Sequence, residues 1–97
     1  MGANADSVRR HELKAWPAEF QAIMSMRKRH EVRVNDRGFK EGDELLLREW
    51  NPKTKQYTGA YIVADVTYLT KGGEWGIPDG LVVMSIKIQM WNRTGAA

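Results

Sequence analysis

The spacing of apolar residues predicts one short helix near the start of the chain. Phe20, Ile23 and Met24 recur at helical spacing, and Pro17 suits the first turn of a helix because that turn does not need its N–H donor. We therefore expect an amphipathic helix over about residues 17–26.

A short strand is predicted before the helix, over residues 11–16. Alternation along a strand places His11 and Leu13 on one face and Glu12 and Lys14 on the other. His11 and Lys14 therefore need not point into one site.

A second short strand is predicted over residues 30–35. Its apolar residues, Val32 and Val34, alternate with Glu31 and Arg33, which indicates a half-buried strand with the valines on the buried face. Turn-forming residues follow this segment.

Three further strands are predicted, over about residues 45–50, 57–70 and 81–91. A glycine-rich loop over residues 71–80 carries the isolated Trp75. Within the last strand, alternation predicts the inward-facing residues Val82, Met84, Ile86, Ile88 and Met90.

These elements predict an α+β fold, a small β-barrel of about five or six mixed strands with one main helix packed against it. A single domain is expected over residues 10–92. The flanking residues, 1–9 and 93–97, are expected to form flexible tails.

Composition restricts the chemistry that this chain can perform. The 97 residues include no cysteine and two histidines, which excludes disulfides and cysteine nucleophiles and leaves little for an imidazole metal site. We therefore expect no metal and no other cofactor. No apolar run is long enough to cross a membrane and no signal peptide is recognisable, so a cytoplasmic location is expected.

The net charge of +3 is concentrated in one segment. Residues 27–40 contain six basic and two acidic residues. Several cations on adjoining strand and turn positions favour capture of phosphate groups, whereas the alternative is a solvated turn without a ligand.

An ordered series of short motifs runs through this chain. They are His11-Glu12-Leu13-Lys14-x-Trp16-Pro17, Lys28-x-x-Glu31-x-Arg33-x-Asn35-Asp36-Arg37-x-Phe39, Gly42-Asp43, Arg48-Glu49-Trp50, Tyr57-Thr58-Gly59, Val66-Thr67-Tyr68 and Gly72-Gly73. This series resembles the small ASCH-type proteins of the PUA-like superfamily, and most closely a bacterial and phage branch known only as a domain of unknown function. The resemblance covers roughly residues 10–88.

The ASCH signature is Gly-x-Lys-x-x-Glu-x-Arg, and its last three residues match Lys28, Glu31 and Arg33. Met26 stands at the Gly position. A glycine just past a helix usually adopts a left-handed conformation, which a Cβ disfavours by about 1 kcal/mol. Either the turn is rebuilt in this chain or Met26 tolerates the strain.

The resemblance implies a PUA-like barrel with a cleft beside the helix that binds RNA or a modified nucleotide. Some ASCH proteins are amidohydrolases that remove acyl groups from N-acylated cytidine, and at least one is reported to cleave RNA. In the amidohydrolases a signature Lys works with a Thr and with a Glu from a later strand. Lys28 matches that Lys, but Glu31 stands at the Thr position and no late-strand Glu is matched. Lys28 and Glu31 are therefore the predicted catalytic residues only if the protein is an enzyme.

The predicted nucleic-acid-binding residues are His11, Lys14, Lys28, Arg29, Arg33, Asn35, Arg37, Trp75 and Ser85. The cations are expected to hold phosphate or sugar, while Asn35 and Trp75 contact the base.

Several of these residues have structural alternatives. His11 suits a structural hydrogen bond, residues 35–37 suit an Asx turn, and Arg33 suits an ion pair with Glu31 that holds the site together. Trp16 is expected to pack at the helix start. A protein-interaction module is the third functional hypothesis.

Overall fold

The computed structural model describes residues 8–93, and within this range the chain forms one helix and five strands. The predicted tails lie outside the described residues except for Val8, Arg9 and Arg93. The elements are β1 Arg10–Ala15, α1 Pro17–Met24, β2 His30–Val34, β3 Glu44–Asn51, β4 Gln56–Lys71 and β5 Leu81–Asn92.

All five strands form one sheet in the order β1-β3-β4-β5-β2. β1 is parallel to β3, and the remaining neighbours are antiparallel. The sheet curls into a half-barrel, so the edge strands β1 and β2 approach each other across a gap that we call the seam. The predicted α+β class, with a small mixed barrel and one helix, is confirmed.

The core fills the inside of the half-barrel. α1 buries Phe20 and Ile23, and these side chains join inward-facing residues of β1, β3, β4 and β5 in one apolar cluster. β2 adds no residue to this cluster. Four strands, the helix and Phe39 from the segment between β2 and β3 therefore supply the apolar core, which leaves the inner face of β2 available for polar side chains.

β2 faces the opposite way from the prediction. Val32 and Val34 are 46% and 61% exposed, whereas Glu31 is 4% exposed. Across the strand pair, Glu31 lies opposite Met84 and Arg33 lies opposite Val82, and both of these β5 residues are in the core. Because directly paired residues share a face of the sheet, both charged side chains are on the inner face. Alternation identified the two faces correctly, but it did not show which face is buried.

β5 departs from its predicted alternation near its end. The first inward positions are buried as predicted, but Met90 is half exposed. Ala64 of β4 pairs with Ile88, while the adjacent Val63 pairs with Met90, so a β-bulge at Gln89 reverses the faces of β5.

α1 ends in a reversal at Met26. The Arg27 N–H donates to the Ala22 carbonyl and the Met26 N–H donates to the Ile23 carbonyl, both at 3.0 Å, which is the pattern of a Schellman motif. Met26 has φ +66° and so adopts the left-handed conformation that glycine usually supplies. The strain is therefore tolerated, and the turn is not rebuilt.

Met26→Gly is expected to stabilise the protein by about 0.5–1 kcal/mol. The substitution removes the Cβ strain at positive φ, although glycine also raises the entropy of the unfolded chain. Chemical denaturation measures the change. Ser25→Gly is the control, because Ser25 has φ −87° and glycine there relieves nothing, so it should destabilise. A Met26→Gly protein no more stable than the wild type would contradict this explanation of the reversal.

Candidate functional site

Two arginine side chains close the seam. Arg33 Nη2 donates to the Lys14 carbonyl at 2.7 Å, and Arg37 Nη1 donates to the Glu12 carbonyl at 2.8 Å. Both carbonyls belong to β1, whose strand partner is β3 on its other edge. Charge-assisted hydrogen bonds from side chains therefore satisfy these two carbonyls in place of a strand ladder.

A cleft of about 340 Å³ opens where the seam meets α1. We call it the seam cleft. The end of β1, the first turn of α1 and the segment that leads into β2 contribute to its walls. Its lining residues are Lys14, Ala15, Trp16, Glu19, Lys28, Glu31, Val32 and Arg33. The structure thus brings together four of the predicted site residues: Lys14, Lys28, Glu31 and Arg33.

Glu31 is the most deeply buried ionisable group of the seam cleft, with a side chain 5% exposed. Its Oε1 lies 3.5 Å from Arg33 Nε. Because a buried charge needs a partner, Arg33 serves both the Glu31 carboxylate and the Lys14 carbonyl. Arg33 therefore forms the structural ion pair with Glu31 that the sequence offered as an alternative, and it also lines the cleft.

Lys28 points its ammonium group at Glu19. Its side chain is 20% exposed, that of Glu19 is 56% exposed, and Nζ contacts Glu19 Oε1 directly. This hydrogen bond, and then the positive charge of Lys28, lower the pKa of the Glu19 carboxyl below its ordinary value. The Glu19 carboxyl is therefore charged at neutral pH.

Lys14 and Trp16 form the β1 wall of the seam cleft. Lys14 Nζ lies 3.9 Å from the ring centroid of Trp50 in a cation–π contact. Trp16 lies at the helix start as expected, as the N-cap residue of α1, but it is 58% exposed. Its extended backbone continues the alternation of β1, which puts Trp16 on the same face as Lys14.

The seam continues beyond the cleft as a second depression of about 270 Å³. It shares Val32 and Arg33 with the seam cleft and also contains Arg37. Arg37 thus lies along the same seam, although its guanidinium already donates to β1.

Two predicted site residues are engaged in structural hydrogen bonds. His11 is buried, with Nε2 2.8 Å from Asp43 Oδ2 and its ring edge against Phe39. Asn35 Oδ1 accepts the Phe39 N–H at 3.1 Å, which closes a turn after β2.

Three other predicted residues lie away from the seam cleft. Arg29 Nε donates to the Met26 carbonyl at 3.2 Å, and Ser85 is exposed on the outer face of β5. Trp75 is 91% exposed in the β4–β5 loop, which is tied to the end of β2 by a 2.8 Å hydrogen bond from the Asn35 N–H to the Gly80 carbonyl. The structure therefore does not place Trp75 with the cations of the cleft.

Sequence reasoning missed Trp16 and Glu19 as cleft residues. Continued alternation from Lys14 was a signal for Trp16. Glu19 carried no such signal, because its contact with Lys28 depends on the reversal at Met26.

Among residues 8–93, no group of three or more His, Cys, Asp or Glu side chains is arranged to hold a metal ion. No helix in that range has the length and apolar character needed to cross a membrane.

Comparison with known proteins identifies the family. A family model described as "Domain of unknown function (DUF3850)" matches residues 10–86, which include every residue of the seam cleft. The chain belongs to the DUF3850 family. The "Uncharacterized 12.9 kDa protein in GpA 3'region" of Escherichia phage P2 is 34% identical over 65 residues, which are 67% of this chain. That alignment spans 58% of the phage protein, which is less than two thirds of its length.

In this DUF3850 protein, Arg33→Ala is expected to lower the free energy of unfolding by about 2–3 kcal/mol. The loss leaves Glu31 buried without its cation, and the partial exposure of Arg33 keeps the cost below that of a fully buried pair. Arg37→Ala is the control. It removes hydrogen bonding from an exposed guanidinium and should cost about 1 kcal/mol. Chemical denaturation measures the free energy of unfolding of both variants. Equal losses in the two variants would contradict the Arg33–Glu31 pairing. It would also be contradicted if adding Glu31→Gln to Arg33→Ala restored none of the lost stability.

Proposed function

We propose that this DUF3850 protein binds RNA or a modified nucleotide in the seam cleft. The observation that carries the proposal is that three cations, one exposed tryptophan and a buried carboxylate line the same cleft. The three cations are Lys14 on β1, Lys28 in the segment before β2, and Arg33 on β2. A cleft of about 340 Å³ is at the small end of ligand pockets and suits one nucleotide unit.

Each part of the cleft suits a different part of a nucleotide. Lys14 and Lys28 attract phosphate oxygens, and the Trp16 ring offers a face on which a base can stack. Glu31 accepts hydrogen bonds only, so it suits an amino or imino group on the edge of a base. The base-stacking role that the sequence suggested for Trp75 therefore passes to Trp16 in this proposal.

The ASCH-type resemblance supports the same function. The three residues that match the ASCH signature, Lys28, Glu31 and Arg33, all line the seam cleft. In the PUA-like superfamily a cleft between barrel and helix is associated with RNA and modified nucleotides, and the seam cleft lies between β2 and α1.

Lys28→Ala is expected to weaken binding of a short single-stranded RNA and to reduce its salt dependence. Loss of one phosphate contact should lower the slope of log affinity against log salt by about 0.7. Fluorescence anisotropy of a labelled oligonucleotide at several salt concentrations measures both quantities. Lys53→Ala, in the exposed β3–β4 turn, is the matched control for net charge. An unchanged affinity and slope in folded Lys28→Ala would exclude phosphate binding at Lys28.

Trp16→Ala is expected to weaken RNA binding by about 1–3 kcal/mol, because it removes the stacking face of the cleft. Trp75→Ala should leave the affinity unchanged, since Trp75 lies outside the seam cleft. The same anisotropy titration tests both variants. If Trp75→Ala weakens RNA binding and Trp16→Ala does not, the base contacts the β4–β5 loop and not the seam cleft.

A second candidate function is amidohydrolysis of N-acylated cytidine, in which water is added across the acyl C–N bond to release a carboxylate and the free amine. The observation that favours it is the position of Lys28, which shares the cleft with Glu31 and with a second carboxylate, Glu19. α1 thus supplies a carboxylate where the sequence offered no late-strand Glu.

Incubation of the pure protein with N-acetylcytidine distinguishes binding from hydrolysis. Chromatography should detect free cytidine if the second function is correct, and Lys28→Ala should abolish its release. No turnover above the Lys28→Ala control would leave ligand binding as the proposed function.

A further inference from the structure

The ammonium group of Lys28 already has an anionic partner in this structure. Lys28 and Glu19 both line the seam cleft, and Nζ contacts Glu19 Oε1 directly. A phosphate group that binds Lys28 must therefore compete with the Glu19 carboxylate for the same donor.

Lys28 is more firmly fixed in the fold than its partner Glu19. The Lys28 side chain is four-fifths buried, and its backbone N–H donates to the Ala22 carbonyl at 2.9 Å directly after the Met26 reversal. Glu19 reaches across from the first turn of α1 with a side chain that is more than half exposed. Exposed ion pairs add little to stability, so Glu19 can leave at small cost while Lys28 stays in place.

We propose that Glu19 acts as a built-in competitor for the phosphate-binding position at Lys28 and so sets how strongly the cleft selects anionic over neutral ligands. This inference rests on the proposed function. A phosphate group displaces the Glu19 carboxylate and takes its place as the partner of the Lys28 ammonium group. A neutral nucleoside leaves the Lys28–Glu19 pair intact. Glu19 is therefore a specificity-determining residue, which acts by occupying the Lys28 ammonium group.

The ionisation of Glu19 agrees with a competition between anions. Lys28 holds the pKa of the Glu19 carboxyl below its ordinary value, so the carboxylate is charged at neutral pH. Displacement by phosphate removes this hydrogen bond and places a second anion nearby, and both changes raise the pKa of Glu19.

The test compares Glu19→Gln with Glu12→Gln. Glu12 is 53% exposed and lies 2.7 Å from Arg48 Nη1, outside the seam cleft. The two substitutions thus remove the same charge from carboxylates of similar exposure, and only one of them frees Lys28. The probes are a short single-stranded RNA, inorganic phosphate and uridine.

Glu19→Gln is expected to bind the RNA and phosphate two- to fivefold more tightly than Glu12→Gln does, with no difference for uridine. Addition of Lys28→Ala to Glu19→Gln should remove the gain. In the wild type, ¹³C NMR of the Glu19 carboxyl should show its pKa rising when the protein is saturated with RNA.

Two different failures separate the inference from the function on which it rests. If the wild type binds RNA but Glu19→Gln binds no more tightly than Glu12→Gln, Glu19 is not a competitor and the proposed function stands. If neither the wild type nor the variants bind RNA or phosphate, both proposals are wrong.

Discussion

Arginine side chains, and not a backbone ladder, close the seam between β1 and β2, and the shape of the candidate site depends on this arrangement. A ladder between the two edge strands would pair their backbones about 5 Å apart and would leave no room between them. Arg33 and Arg37 instead reach across to carbonyls of β1. Two carbonyls on the edge of β1 are thereby satisfied and the edge is covered by side chains, while an accessible groove remains along the seam.

The same arrangement explains why the basic segment cannot be assigned to phosphate binding as a whole. Arg33 and Arg37 carry positive charge, but their guanidinium groups hold the barrel together. Lys28 differs from them because its partner is an exposed carboxylate on a flexible side chain. The distribution of partners, more than the total charge, therefore distinguishes cations that support the fold from cations that are available to a ligand.

Much of the fold was predictable because each element has a local cause. Pro17 begins the helix, alternation marks the strands, and turn residues separate them. The orientation of β2 was not predictable, since Val32 and Val34 form an apolar stripe that a single sequence places inward by default. They face outward because the other strands and α1 already fill the core. The bulge that turns Met90 outward likewise arises from the pairing of β4 with β5, and the local sequence does not indicate it.

The candidate site was predictable only in part, for a related reason. A family signature predicts Lys28, Glu31 and Arg33 as site residues, and the structure places them in one cleft. The left-handed backbone at Met26 was anticipated as one of two outcomes because a glycine was missing at that position. His11 and Asn35 have the residue types of a binding site, but both make structural hydrogen bonds within the fold. Residue type and spacing do not show whether a polar side chain is already satisfied within the fold.

The most direct test of ligand binding at the seam cleft is an ¹H–¹⁵N NMR titration with a short single-stranded RNA. The four tryptophans each give an indole N–H signal in addition to the backbone amides. Binding at the seam cleft predicts that the Trp16 indole and the amides of residues 14–16 and 28–33 shift together, while the Trp75 indole and the Ser85 amide stay in place. Shifts confined to the β4–β5 loop or to the outer face of β5 would contradict it.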